Sequence, residues 1–133
     1  MKSKRLLDSF AVLAWLQDEP GAGKVEAFLR EARGAEVPLL LTVVNLGEVY
    51  YRVARQHGHP MAEGIVRQLH ALPVEFCTCD EQLSLAAARI KADFPMAFAD
   101  ALAAATAQKE EATVVTGDPE FRKIEHLVSI EWL

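Results

Sequence analysis

The sequence predicts an α/β domain in which a mostly parallel central sheet is flanked by helices on both sides. Three observations carry that prediction. Short apolar segments of strand character alternate along the chain with helical patterns, the order that builds layered sheets with helical crossovers. One of them, PLLLT at residues 38–42, is a near-continuous apolar run, the pattern of a strand buried on both faces. The chain has 133 residues, 51% of them hydrophobic, and shows no repeat, low-complexity tract or Ser/Gly-rich linker, so residues 1–133 are expected to form one domain.

The elements follow in order. RLLD at residues 5–8 is a short apolar strand ending on an acid, and Ser9 is a plausible N-cap for the helix SFAVLAWLQDE, which stops before Pro20 and Gly21. GAGKVEAFLREARG reads as a second helix, with Val25, Phe28 and Leu29 on one face and Gly34 as its stop. After the PLLLT strand, VVNLGEVYYRVARQHGH has helical spacing, although its β-branched residues and Gly47 weaken that propensity. Residues 60–72 form a fourth helix and PVEFCT a third strand. EQLSLAAARIKAD and AFADALAAATAQKEE are two alanine-rich helices parted at Phe94-Pro95, because proline disfavours helix through the residue before it. ATVVT, a turn or short helix at PEFRKI, and a last strand in VSIEW close the chain.

Composition narrows the function. A net charge of −5 disfavours a protein that grips nucleic acid by a broad basic surface. It does not exclude a nuclease, since cations held by carboxylates reverse the local field. No apolar run approaches the roughly 20 residues that cross a bilayer, and MKSKRLLDSF meets an acid too early for a secretory leader, so a soluble, cytoplasmic protein is expected. Cys77 and Cys79 are too closely spaced for an ordinary disulfide and lack partners at zinc-site spacing; they read as reduced thiols on one face of a strand.

The acids are the informative residues. In parallel sheets, sites form at the carboxyl ends of strands. Asp8 ends the first strand, and Asp118 lies two residues past ATVVT in TVVTGDPEF. Glu48 and Asp100 sit within helices among apolar neighbours, at a cleft edge or buried at some expense. Taken singly, Asp8 could be a cap, Asp118 a turn former and Glu48 a partly exposed helix residue. Together, four such acids would repel one another by roughly 1 to 4 kcal/mol per contacting pair, and a bound cation removes that repulsion. An all-oxygen set selects Mg²⁺ or Mn²⁺ over zinc and points to phosphodiester hydrolysis, in which the ion lowers the pKa of an attacking water.

At these residues the sequence resembles a known family. LLDS (Leu6–Ser9), NLGEVYY (Asn45–Tyr51), FADALAAATA (Phe98–Ala107) and VVTGDPEF (Val114–Phe121) resemble the four acidic motifs of PIN-domain ribonucleases, in the family's order and over essentially the whole chain. The short length and the K-x-D at Lys91–Asp93 look most like the VapC toxin subunits of VapBC toxin–antitoxin pairs. The resemblance implies a three-layer Rossmann-like fold and a pocket for one or two Mg²⁺ or Mn²⁺ ions. Asp8, Glu48 and Asp100 match its three central metal-binding acids and Asp118 its more variable fourth. Thr116 matches a supporting hydroxyl, and Ser9 follows the first acid as in many members. It further implies RNA as substrate, an antitoxin whose C-terminal segment blocks the pocket, and a homodimer. Gly47, where a helix former is more usual, departs from the pattern.

Other features are ambiguous in sequence. Asn45, one turn before Glu48, could bind that carboxylate, bind a metal-held water, or cap the helix. Arg52, Arg55, His57, His59, Arg67 and His70 concentrate cations that could contact RNA or an acidic partner, or form a solvated helix face. Phe10, Leu13, Trp15, Leu16 and Tyr50–Tyr51 read first as core. A haloacid-dehalogenase-type phosphotransferase needs a second acid two residues after the first; Phe10 is there instead. The alternative to a nuclease is a non-catalytic binding or assembly module that keeps the PIN scaffold.

Overall fold

The computed structural model describes residues 4–133; Met1–Ser3, the head of the segment read against a secretory leader, lie outside the described residues. The expected alternation is present. β1 (Lys4–Leu7), α1 (Ser9–Leu16), α2 (Ala22–Ala35), β2 (Leu39–Thr42), α3 (Val43–His57), α4 (His59–His70), β3 (Val74–Cys77), α5 (Glu81–Asp93), α6 (Phe98–Glu110), β4 (Ala112–Thr116), a 3₁₀ turn (Pro119–Ile124) and β5 (Ile130–Trp132) follow one another. The strands form one sheet in the order β3-β2-β1-β4-β5, and each adjacent pair is parallel, so the sheet is wholly rather than mostly parallel.

Period-two alternation in the strands sorts the core into two layers. Leu6, Leu40 and Val114 face one side and pack against Leu83, Ala87 and Ile90 of α5 and the alanines of α6. Leu7, Leu41 and Val115 face the other and meet residues of α1, α2, α3 and α4. The result is helix, sheet, helix. Every residue of α6 from Asp100 to Ala107 is buried, and five of those eight are alanines, so the helix lies close on the sheet without large side chains to hold it away. Phe121, fully buried in the 3₁₀ turn, fills the end of that layer, and its removal would cost about 3–5 kcal/mol.

Local boundaries depart from expectation at several points. The N-cap of α1 is Asp8, not Ser9: its carboxylate accepts from the Ala11 amide at 2.9 Å. α2 does not stop at Gly34 but runs to Ala35, and Glu36 takes the left-handed turn at φ 58°. Thr42 caps α3, its hydroxyl accepting from the Asn45 amide at 3.0 Å, so Asn45 is not the cap. β3 ends at Cys77, half-buried, while Cys79 is exposed beyond the strand; the two free thiols do not share a strand face. Phe10 and Tyr51, read as core, are 40% and 44% exposed. Among the described residues no helix is long and apolar enough to cross a membrane.

Candidate active site

The sheet register brings the first acid to its neighbours. Leu7 pairs with Leu41 on one side and Val115 on the other, so the next residues, Asp8, Thr42 and Thr116, form a polar row across the carboxyl ends of the three central strands. All three are at most 1% exposed. The Thr116 hydroxyl donates to Asp8 Oδ2 and accepts from the Asp118 amide at 3.0 Å, linking the first acid to the last. Asp118 in turn caps the 3₁₀ turn, its Oδ1 accepting from the Glu120 amide at 3.0 Å. Asp118 therefore makes the turn and also lies close enough to Asp8 and Asp100 for its charge to raise both their pKa values.

Two helices supply the remaining acids. α3 leaves the Thr42 cap, buries Asn45 and Val49, and carries Glu48 on the adjoining face. Glu48 is held from both sides, with Asn45 Nδ2 donating to Oε1 at 3.1 Å and the Arg52 guanidinium to Oε2 at 3.3 Å. α6 begins after Pro95 and presents Asp100 in its first turn, where the positive end of the helix dipole offsets part of the cost of burying a carboxylate. Phe10 closes the rim. A Cβ built on Gly117 would lie 2.3 Å from Phe10 Cε1, so the ring rests on the glycine backbone between Thr116 and Asp118.

Burial dominates the electrostatics. Desolvation pushes the Asp8 carboxyl up to about 7 despite the bonds from Thr116 and Ala11, with the charges of Asp100 and Asp118 adding to the rise. Asp100 is raised to about 6, again first by desolvation, then by Asp118, Glu48 and Glu120, with Arg52 opposing. Asp100 and Asp118 are thus in electrostatic range of Asp8, and Asp118 and Glu48 in range of Asp100. Glu120 is a fifth, which sequence reasoning missed; its only signal was its position two residues after Asp118. Thr42 was also missed, although LLD, LLT and VVT share a pattern of two apolar residues followed by a polar one.

The donor set suits a hard divalent cation. All the candidate ligands are oxygens. Asn45 Oδ1 is fully buried beside Glu48 with no hydrogen-bond partner, an acceptor that an ion-held water would satisfy. Among the described residues no three acidic, histidine or cysteine side chains converge in their present rotamers to hold an ion. Glu48 and Asp8 are instead engaged by Arg52 and Thr116.

Residues 5–127 match the family described as PIN domain. The chain belongs to that family. The PIN match takes in β1 through the 3₁₀ turn and so includes all four acids. Its fold is similar to that of DNA-bound VapBC from Salmonella typhimurium, at 18% identity over 98% of both chains with a TM-score of 0.75. It is also similar to VapBC2 from Rickettsia felis bound to a promoter DNA fragment, at 17% identity over 98% of both chains and a TM-score of 0.76. VapC20 from Mycobacterium tuberculosis, a toxin that cleaves the sarcin-ricin loop, matches at 18% identity over 90% of this chain and 93% of its own, with a TM-score of 0.67. No curated protein matches the chain.

The remaining sequence candidates divide. Of the three arginines, Arg52 touches the acid set; Arg55 stacks over the Tyr51 ring at 4.9 Å, and Arg67 is exposed on α4. Ser9, directly after Asp8, is buried at 6% exposure. Three of the histidines make contacts away from the acids: His59 meets the Tyr50 hydroxyl at 3.0 Å, His70 packs at a tilt against Phe76, and His126 meets Phe94 edge-on.

Proposed function

We propose that this PIN-domain protein is a Mg²⁺- or Mn²⁺-dependent endoribonuclease, the toxin subunit of a toxin–antitoxin pair, acting in the cytoplasm as a homodimer whose antitoxin blocks the acidic pocket. The observation that carries the nuclease reading is the pair of buried carboxylates, Asp8 and Asp100, raised toward neutral pH by burial and facing Asp118 and Glu48. A structural core gains nothing from such an arrangement, whereas a cation site needs it. The toxin and antitoxin roles draw on the likeness to VapBC complexes.

Asp8, Glu48 and Asp100 would hold the ion, with Asp118 completing the pocket or taking part in a second site. A divalent cation bound there supplies a water nucleophile at neutral pH and offsets charge developing on the phosphate. The chain's own residues set the geometry. Thr116 fixes the Asp8 carboxylate by donating to Oδ2 and leaves Oδ1 to the cap of α1. Asn45 orients Glu48. In-line attack by such a water would leave 5′-phosphate and 3′-hydroxyl ends.

Replacing Asp8 or Asp100 with Asn should abolish metal-dependent RNA cleavage while circular dichroism stays unchanged; undiminished cleavage by both variants would reject the proposal. The competing module reading is separated by a thermal melt after EDTA treatment. A metal pocket predicts stabilisation by millimolar Mn²⁺ through linkage, and no shift favours the non-catalytic module.

A further inference from the structure

Arg52 lies where two demands on the site meet. Its guanidinium is four residues after Glu48, one helical turn away, and reaches Oε2 at 3.3 Å. The Glu48 side chain is 17% exposed and that of Arg52 54%, so the pair has a largely buried acid and a base free to leave into solvent. Glu48 Oε1 is meanwhile occupied by Asn45. Both oxygens of one candidate ligand are therefore engaged by the chain itself. Arg52 also borders an open groove of about 350 Å³ with Gln17 and with Phe10, the ring that rests on Gly117, which gives the side chain room to swing without unfolding anything.

A cation and a guanidinium cannot both neutralise the same carboxylate at full strength. A divalent ion carries twice the charge and binds oxygen directly, so it displaces the arginine from Glu48 rather than joining it. The released guanidinium then stands at the rim of a site whose substrate is a polyanion, and its planar fork suits a phosphate better than a lysine does. Resting on the metal-dependent nuclease reading above, we propose that Arg52 is a built-in counter-ion. It occupies Glu48 until a divalent cation takes that carboxylate, then passes to a phosphate of the RNA.

The exchange predicts effects of opposite sign from one substitution. Mn²⁺ affinity is measured from the free-ion electron paramagnetic resonance signal, and RNA affinity from the anisotropy of a labelled single-stranded oligonucleotide in Ca²⁺. Arg52→Gln should tighten Mn²⁺ roughly two- to fivefold, the scale of a half-exposed ion pair. It should weaken the oligonucleotide by roughly tenfold, the loss of a charge-assisted contact. Arg52→Lys should bring both back toward wild type. A residue that merely supported the fold would weaken both ligands together. Wild-type Mn²⁺ binding with unchanged or weaker affinity in Arg52→Gln overturns the counter-ion role alone. Failure of the wild-type protein to bind Mn²⁺ removes the nuclease reading, and the counter-ion role with it.

Discussion

Asp8 and Asp80 follow the same local grammar. Each comes after a parallel strand and caps the next helix, with φ,ψ of −92°,−178° and −94°,−178°, and each accepts from the amide three residues on, at 2.9 and 2.8 Å. Their surroundings could hardly differ more. β1 is the central strand and β3 an edge strand. Asp8 is therefore walled in by Thr116 and by two other acids, whereas Asp80 is exposed to water. The capping motif makes the helix in both places; only the position of the strand in the sheet turns one cap into a candidate ligand.

The largest expected effect breaks the comparison outright. Asp8→Asn preserves the cap and should lower metal-dependent RNA cleavage by on the order of a hundredfold or more. Asp80→Asn, an equal change in local terms, should leave turnover unaltered. Equal losses from both would mean that the acid edge has no special standing.

Stability comes next. The Asp8 carboxyl is raised from 3.8 to about 7 in the folded protein, so between those values the native state holds a proton that the unfolded chain has released. Metal-free stability is then greatest below the unfolded value and falls as pH rises toward about 7, with Asp100 acting in the same direction. Asp8→Asn removes that penalty and should stabilise the metal-free protein at pH 8 by up to about 4 kcal/mol. Urea melts at pH 5 and pH 8 test it: the gain should shrink at the lower pH, and Asp80→Asn should show less than about 0.5 kcal/mol at either.

A finer probe is Thr116→Val, which deletes the hydroxyl that donates to Asp8 and favours its ionised form. The midpoint at which Mn²⁺ binding rises with pH should move upward by roughly one unit. No movement would show that desolvation alone sets the titration. The smallest effect belongs to Asp80→Ala, which should cost about 1 kcal/mol through loss of the cap, read as a lower melting temperature with cleavage intact.

Much of this was legible in the sequence. Apolar runs such as PLLLT and ATVVT located buried strands because their side chains have to fill both layers, and Phe94-Pro95 marked the break between α5 and α6. Asp8, Glu48, Asp100 and Asp118 stood out as acids at strand ends or among apolar neighbours, and the fold brings Asp100 and Asp118 within electrostatic range of Asp8, and Glu48 within range of Asp100. What could not be read were choices between neighbouring groups of similar chemistry, and one settled between separate segments. Ser9 and Asp8 compete for one cap, and Asp8 prevails because its carboxylate reaches the Ala11 amide. Asn45 reads equally as cap or ligand partner until Thr42 is seen to take the cap. Glu120 looks like any acid on a polar turn until α6 carries Asp100 toward it.

The hydrogen bond between Asp8 and Thr116 joins residues 108 positions apart. Because β1 lies between β2 and β4, the central strand has one flank unfilled until β4 has been synthesised. Closure over so long a separation comes late in folding. A growing polypeptide would carry Asp8 and Glu48 well before β4 delivers Thr116 and the turn after it delivers Asp118, so the acid set is completed only once β4 has been made. Sheet order alone would thus keep a ribosome-bound chain from acquiring its full acid set until the ribosome has passed β4.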